Sequence, residues 1–215
     1  MREAPSAERG RTTRADDGPS LARRRKEALR FDIAREAVRL FAAQGVTATT
    51  GEQSAQAVGV SARTSWRHFP TKESCVLPLL AAGLDFAMDQ LRHRPPETGL
   101  LDFSTESCRG GGPPPADPAI LDLIRKTSTD PALRAVWPQA HDDALPVLAA
   151  LLARRSGGDA DDLRVKVHAA TINGALRAAT EDFARRFADD PGAADSEIVT
   201  RILAALRAAS EGLPY

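Results

Sequence analysis

The stretch VTATTGEQSAQAVGVSARTSWRHFPTKES, from Val46 to Ser74, leaves the chain few options. Thr49 or Thr50 can cap a short helix that runs to about Val58. Gly59 interrupts it, because glycine tolerates the positive φ that a tight turn between helices needs. Ser61 caps a second short helix reaching about His68, and Phe69-Pro70 ends that one. Thr71, with Glu73 and Ser74 in the first turn, opens a longer helix to about Leu91.

The remainder of the chain also reads as helical. Apolar residues are 42% of the 215 and aromatics only 5%, so alanine and leucine carry most of the apolar mass. Those residues favour helix, and no alternating β-branched run competes, so the fold expected is all-α with about nine helices. Ahead of Val46, Ala34, Ala37, Val38 and Phe41 recur at three- and four-residue spacing. Leu29, Ile33 and Leu40 widen that stripe, RRRK at Arg23–Lys26 starts the helix and Gly45 stops it. After Leu91, RPPE and GGGPPPAD flank a short helix expected over Thr98–Ser107, and Gly110–Pro115 is a loop. A short helix follows over Ala119–Lys126. Pro131 to about Arg155 is helical, with Pro138 near a start and Pro146 a kink or break. Gly157-Gly158 is a stop, and helices follow over Asp161–Phe187 and Asp195–Glu211. Residues 1–20 have almost no bulky apolar side chains and read as a disordered tail, although Arg9, Arg11 and Arg14 can attract a polyanion.

Charge is uneven. Residues 1–75 carry 14 Lys/Arg against 9 Asp/Glu, and residues 76–215 carry 15 against 20. A basic first third on an acidic remainder fits a polyanion-binding head on a body with another task. The domain division expected is a tail over 1–20, a head over 21–75 and a body over 76–215. Two short helices about a glycine turn form a helix-turn-helix, whose second helix can lie in the DNA major groove. Ala55 is small where the helices approach, Val60 points inward from the turn, and Arg63, Thr64 and Arg67 face outward.

From Arg30 to about Leu79 the segment resembles the tetracycline-repressor (TetR) family of transcriptional regulators. The resemblance rests on IAREAVRLFAAQG, the TT before the second helix, the AxxxGVS turn and RTSWRHFPTKE. The last is similar to the aromatic–x–(Tyr or His)–Phe–x–(Ser or Thr)–Lys–Glu run that closes the family's DNA-binding domain. The resemblance implies DNA-facing roles for Thr50, Arg63, Thr64, Trp66, His68 and Lys72. Trp66 stands where the family has tyrosine, and its indole N–H can donate to a phosphate. Lys72 lies near a helix N-terminus, which also favours phosphate. Arg63 and Thr64 are the candidates for base edges: guanine for arginine, the thymine methyl for threonine. Arg24, Arg25, Ser61 and Arg67 complete the candidate DNA-binding set. Ser54 and Ser65 depart from the family, which has large aliphatic or aromatic residues there. Each buried hydroxyl needs a partner, either the other serine or a carbonyl of the preceding turn, and Trp66 is a candidate to refill the space.

The resemblance further implies a helical body that binds a small effector and dimerises through its last two long helices. The helix from Asp161 carries a bulky apolar face (Val165, Ala169, Ile172, Leu176, Ala179, Phe183 and Phe187) suited to a core. A second face, Leu163, Val167, Ala170, Gly174 and Ala178, narrows to small residues suited to close approach by another helix. Ile198, Ile202, Leu206 and Ala209 form a stripe on the final helix, and a four-helix interface between two subunits would bury both. Effector-binding candidates are Phe86, Phe103, Trp137, His141, His168 and Asn173, with an apolar or mildly polar organic molecule as the ligand class.

An enzyme is not expected. His141, Asp142 and Asp143 are adjacent on a helix and share no face, and His168 has no readable partner. Cys75 and Cys108 lie in no metal-binding or nucleophile motif, so no metal or cofactor is expected. No apolar run approaches the ~20 residues of a membrane span, and the N-terminus is charged. The reading is a soluble, cytoplasmic homodimer that binds a palindromic double-stranded operator and is released by a small organic effector, a repressor by preference. A helical protein-interaction module with weakened or lost DNA binding is the alternative.

Overall fold

Ser20 caps the first helix, its Oγ accepting Arg23 N at 3.3 Å. The computed structural model of the chain describes residues 20–95, 97–99, 102, 105–106, 118–190 and 195–212. Among these the fold is all-α, without strands. Helix α1 spans Leu21–Gln44 and stops at Gly45, whose φ of 85° suits glycine. Helix α2 spans Gly51–Ala57 and α3 spans Ala62–Trp66. A 3-10 turn over Glu73–Val76 leads into α4, Leu77–His93. The body adds α5 (Pro118–Thr129), α6 (Pro131–Ser156), α7 (Leu163–Arg186) and α8 (Asp195–Glu211). The expected tail, Phe103, Cys108 and the Gly-Pro loop lie outside the described residues, as does half of the helix expected over Thr98–Ser107.

Proline explains two departures from the sequence reading. The helix expected from Thr71 is instead a 3-10 turn followed by α4. Pro78 has no N–H to donate to Ser74 O, so Leu77 N takes that carbonyl and tightens the turn. Conversely, α6 runs unbroken through Pro138 and Pro146. The carbonyls those prolines leave free belong to Arg134 and Asp142, both exposed residues, so water can take them. The opposite side of α6 buries Leu133, Trp137, Ala140, Ala144 and Leu148, and that packing outweighs the local cost. Gly157, at φ 66°, then ends α6 where a stop was expected.

One apolar cluster joins the helix-turn-helix to the body. Ile33, Ala37 and Phe41 of α1, Phe69, and Leu79, Leu80 and Leu84 of α4 pack in it with Leu133, Trp137 and Leu148 of α6. Helix α4 is therefore the shared strut. Glu73–His93 is long and apolar enough to cross a bilayer, contrary to the sequence expectation, but it buries Leu79, Leu80, Leu84, Met88 and Leu91 against its neighbours. Arg155 of α6 fixes its far end: the guanidinium donates to Leu91 O at 3.2 Å, Arg94 O at 2.8 Å and Pro95 O at 3.1 Å. A second cluster, Leu121, Ile124, Phe183 and Ala184 with Phe187 and Ile198, ties α5, α7 and α8 together.

Candidate nucleic-acid interface and body site

The head is built from caps. Thr50 Oγ1 accepts Gln53 N at 3.2 Å while Gln53 Oε1 accepts Thr50 N at 2.8 Å, a reciprocal box that starts α2. Gln44 Nε2 reaches the same Gln53 oxygen at 3.0 Å and Thr49 Oγ1 at 3.2 Å, so the end of α1 is tied to the start of α2. Between α2 and α3, Gly59 has φ 73° and Val60 N donates to Ala55 O at 3.0 Å. Ala55 is fully buried. Ser61 Oγ accepts Thr64 N at 3.2 Å and lies 2.9 Å from Thr64 Oγ1, capping α3. The helix ends two residues short of His68, because both His68 N and Phe69 N close on Ser65 O.

This framework leaves Arg63 exposed on α3 and Arg67 exposed at its C-cap, with Thr64 half-buried between them. Arg24 and Arg25 are exposed on the first turns of α1. His68 is half-buried; burial lowers its pKa, and the nearby cations Lys26, Arg67 and Arg30 lower it further. Those cations join the start of α1 to the end of α3 in one basic cluster, with Arg30 also 5.3 Å over the Phe69 ring. Lys26 and Arg30 were missed from sequence, although their spacing of four places them on one face of α1.

Two side chains are used differently from the resemblance. Lys72 Nζ donates to the carbonyls of Val46 at 2.7 Å, Thr49 at 2.9 Å and Thr47 at 3.2 Å. Its three N–H bonds thus clamp the α1–α2 loop. Trp66 is 39% exposed, and its Nε1–H donates to Glu52 Oε1 at 3.3 Å. Its ring lies across Gly51, where an added Cβ would meet it at 2.4 Å, so a larger residue at the first position of α2 would push the indole aside. The indole is therefore held on the outside of α2 rather than drawn inward beside the serines. Ser54 and Ser65 are both buried, and Ser65 Oγ has no hydrogen-bond partner, so the bond expected for it to Ser54 or to a carbonyl is not made. Cys75, fully buried, has its thiol pushed up to about 12, chiefly by burial, which leaves it unreactive.

In the body, Trp137, His141 and Asn173 come together between α6 and α7. The Trp137 and His141 rings meet edge to face with centroids 4.6 Å apart. His141 Nδ1 lies 3.0 Å from Asn173 Oδ1, and Asn173 Nδ2 donates to His141 O at 3.3 Å. Trp137 Nε1 donates to Glu181 Oε1 at 3.2 Å, which also accepts Arg177 Nε at 2.8 Å. Phe86 is half-buried on α4, and His168 is exposed on α7, apart from this group. Glu181 and Arg177 were missed from sequence, yet Asn173, Arg177 and Glu181 repeat every four residues, which is one helix face. Among the described residues no cluster of His, Cys, Asp and Glu could hold a metal ion.

On the other side of α7, Leu163 is 75% and Val167 52% exposed, and Ala170, Gly174 and Ala178 are exposed with them. Ile202 of α8 is half-buried, Ile198 packs on the Phe183 cluster, and Leu206 is buried within the single chain.

Known proteins match both halves. Residues 33–79 match the model for bacterial regulatory proteins of the tetR family, and residues 116–211 match the MftR C-terminal domain. The chain is 32% identical over 159 residues to the HTH-type transcriptional regulator TcmR of Streptomyces glaucescens, which covers 70% of each protein. Among solved structures, Salmonella enterica GusR aligns with a TM-score of 0.49 at 20% identity, covering 86% of this chain and 96% of that one. Thermus thermophilus FadR, a TetR-family repressor solved with lauroyl-CoA, aligns with a TM-score of 0.49 at 22% identity, covering 86% of this chain and 95% of that one. The chain belongs to the tetR family of bacterial transcriptional regulators.

Proposed function

We propose that the chain is a cytoplasmic homodimeric repressor whose head, residues 21–75, reads a palindromic operator and whose body, residues 76–215, binds a small organic effector. The observation that carries this reading is the α3 surface: Arg63 on the capped helix and Arg67 at its end are exposed beside the basic cluster of Lys26, Arg30 and His68. Exposed cations on a short, rigidly seated helix suit phosphate and guanine contacts in a major groove. In this reading Arg63 and Thr64 meet base edges, while Arg24, Arg25, Thr50, Ser61, Arg67 and His68 meet the backbone. Trp66 contributes by bracing α3 on α2, and Lys72 by holding the loop before α2.

The exposed stripe of Leu163, Val167, Ala170, Gly174 and Ala178 supports pairing through α7 and α8, which would set two recognition helices one DNA turn apart. Trp137, His141 and Asn173 support an effector site between α6 and α7. Helix α4 packs on α1 and on α6 within one cluster, so a ligand that shifts α6 displaces the strut that carries the head. Release then requires the effector to bind the non-DNA-bound arrangement more tightly. The test is a footprint on the DNA upstream of the gene, repeated with a library of small organic compounds. The reading expects a two-fold symmetric protected site that at least one compound abolishes. A protected site that no compound affects would remove the effector role.

A further inference from the structure

His141 is 2% exposed, and the amide of Asn173 fixes its tautomer. Asn173 Nδ2 donates to the His141 backbone carbonyl, which can only accept. That orientation turns Asn173 Oδ1 toward the ring, 3.0 Å from Nδ1. An amide oxygen also only accepts, so Nδ1 carries the proton. The neutral ring then presents a lone pair at Nε2, and this atom is buried with no hydrogen-bond partner. Burial favours the neutral ring and lowers its pKa, although the Asn173 bond pulls the other way.

Two N–H donors of this group are already used. The Trp137 indole N–H and the Arg177 Nε–H both go to Glu181 Oε1. A buried acceptor without a donor is costly, and an occupant that supplies the donor recovers that cost.

We propose that the His141 Nε2 lone pair accepts a hydrogen bond from the effector, and so selects neutral molecules bearing an O–H or N–H, such as phenols and alcohols, over organic anions. This rests on the effector role argued above for the body. A carboxylate would set its own lone pairs against Nε2, with the Glu181 carboxylate nearby. The edge-to-face Trp137 ring favours an occupant with an apolar or aromatic frame around the donor.

The test is long-range proton–nitrogen NMR of the full chain labelled with 15N-histidine, with His141→Gln used to assign the signals. Para-cresol is the donor probe, 4-methylanisole the same frame with the O–H blocked, and para-toluate the anion. The expected result is a protonated Nδ1 and a bare Nε2 in the free protein. Para-cresol then moves the Nε2 signal and binds about ten-fold more tightly than either control. A proton on Nε2, an equal response to 4-methylanisole, a preference for para-toluate, or no response of His141 to para-cresol would each overturn the proposal. Compounds that release DNA without touching the His141 signals would remove this inference and leave the effector role standing. A DNA complex that no compound releases would remove the effector role itself.

Discussion

Ser65 has no exposed surface, and no oxygen or nitrogen partners its hydroxyl, which has only the weakly hydrogen-bonding thiol of Cys75 beside it. Removing that hydroxyl while leaving the methylene should stabilise the head by about 1 kcal/mol. Ser65→Ala is therefore expected to raise the melting temperature by roughly 2–4 °C, read by circular dichroism; a lower melting temperature would show that the hydroxyl is satisfied after all. That Ser65 would be buried was legible in its place on the inner face of α3. That its hydroxyl would stay unpaired was not, because this depends on the carbonyl of the preceding turn being already occupied: Ser61 O takes both Thr64 N and Ser65 N. Trp66 shows the same division. Its position beside DNA-facing residues was readable, whereas its bond to Glu52, 14 residues away, depends on how α3 lies on α2.

At the scale of elements, Lys72 links the start of the 3-10 turn to the loop before α2. Replacing it with methionine keeps the aliphatic stem and removes three charge-assisted donors. Lys72→Met is expected to destabilise the chain by about 1.5–3 kcal/mol, measured by urea unfolding. It should leave the slope of log affinity against log salt for operator DNA unchanged. A slope reduced by about 0.9 would instead assign the ammonium to a phosphate. Helix ends were the best-read elements: the caps at Thr50 and Ser61 and the stops at Gly45, Gly59 and Gly157 all lie where local chemistry put them. The prolines were read less well, because their effect depends on what surrounds the carbonyl each leaves unbonded. Pro78 tightens a buried turn, while Pro138 and Pro146 leave theirs at exposed residues. The polar group on α7 was missed for a related reason: Glu181 has meaning only beside Trp137, 44 residues earlier.

At the scale of the molecule, the two apolar faces of α7 have separated as their side-chain sizes suggested. Val165, Ala169, Ala179 and Phe183 are buried within the chain, while Leu163 and Val167 remain in water. Leu163→Glu with Val167→Glu is expected to leave helix content unchanged and convert the protein to a monomer in analytical ultracentrifugation. An undiminished dimer would place the interface elsewhere. On α8 the sequence stripe could not distinguish side chains used inside the chain from those left for a partner, and Leu206 proves to be buried within its own chain.

The central claim, sequence-specific DNA reading by α3, is tested most directly by fluorescence anisotropy of the protein against fragments of its own upstream region at two salt concentrations. The account predicts tight binding to one fragment, weakened by salt, and weakened by Arg63→Ala by about 1–3 kcal/mol. Weak binding of equal strength to every fragment, indifferent to Arg63→Ala, would contradict it.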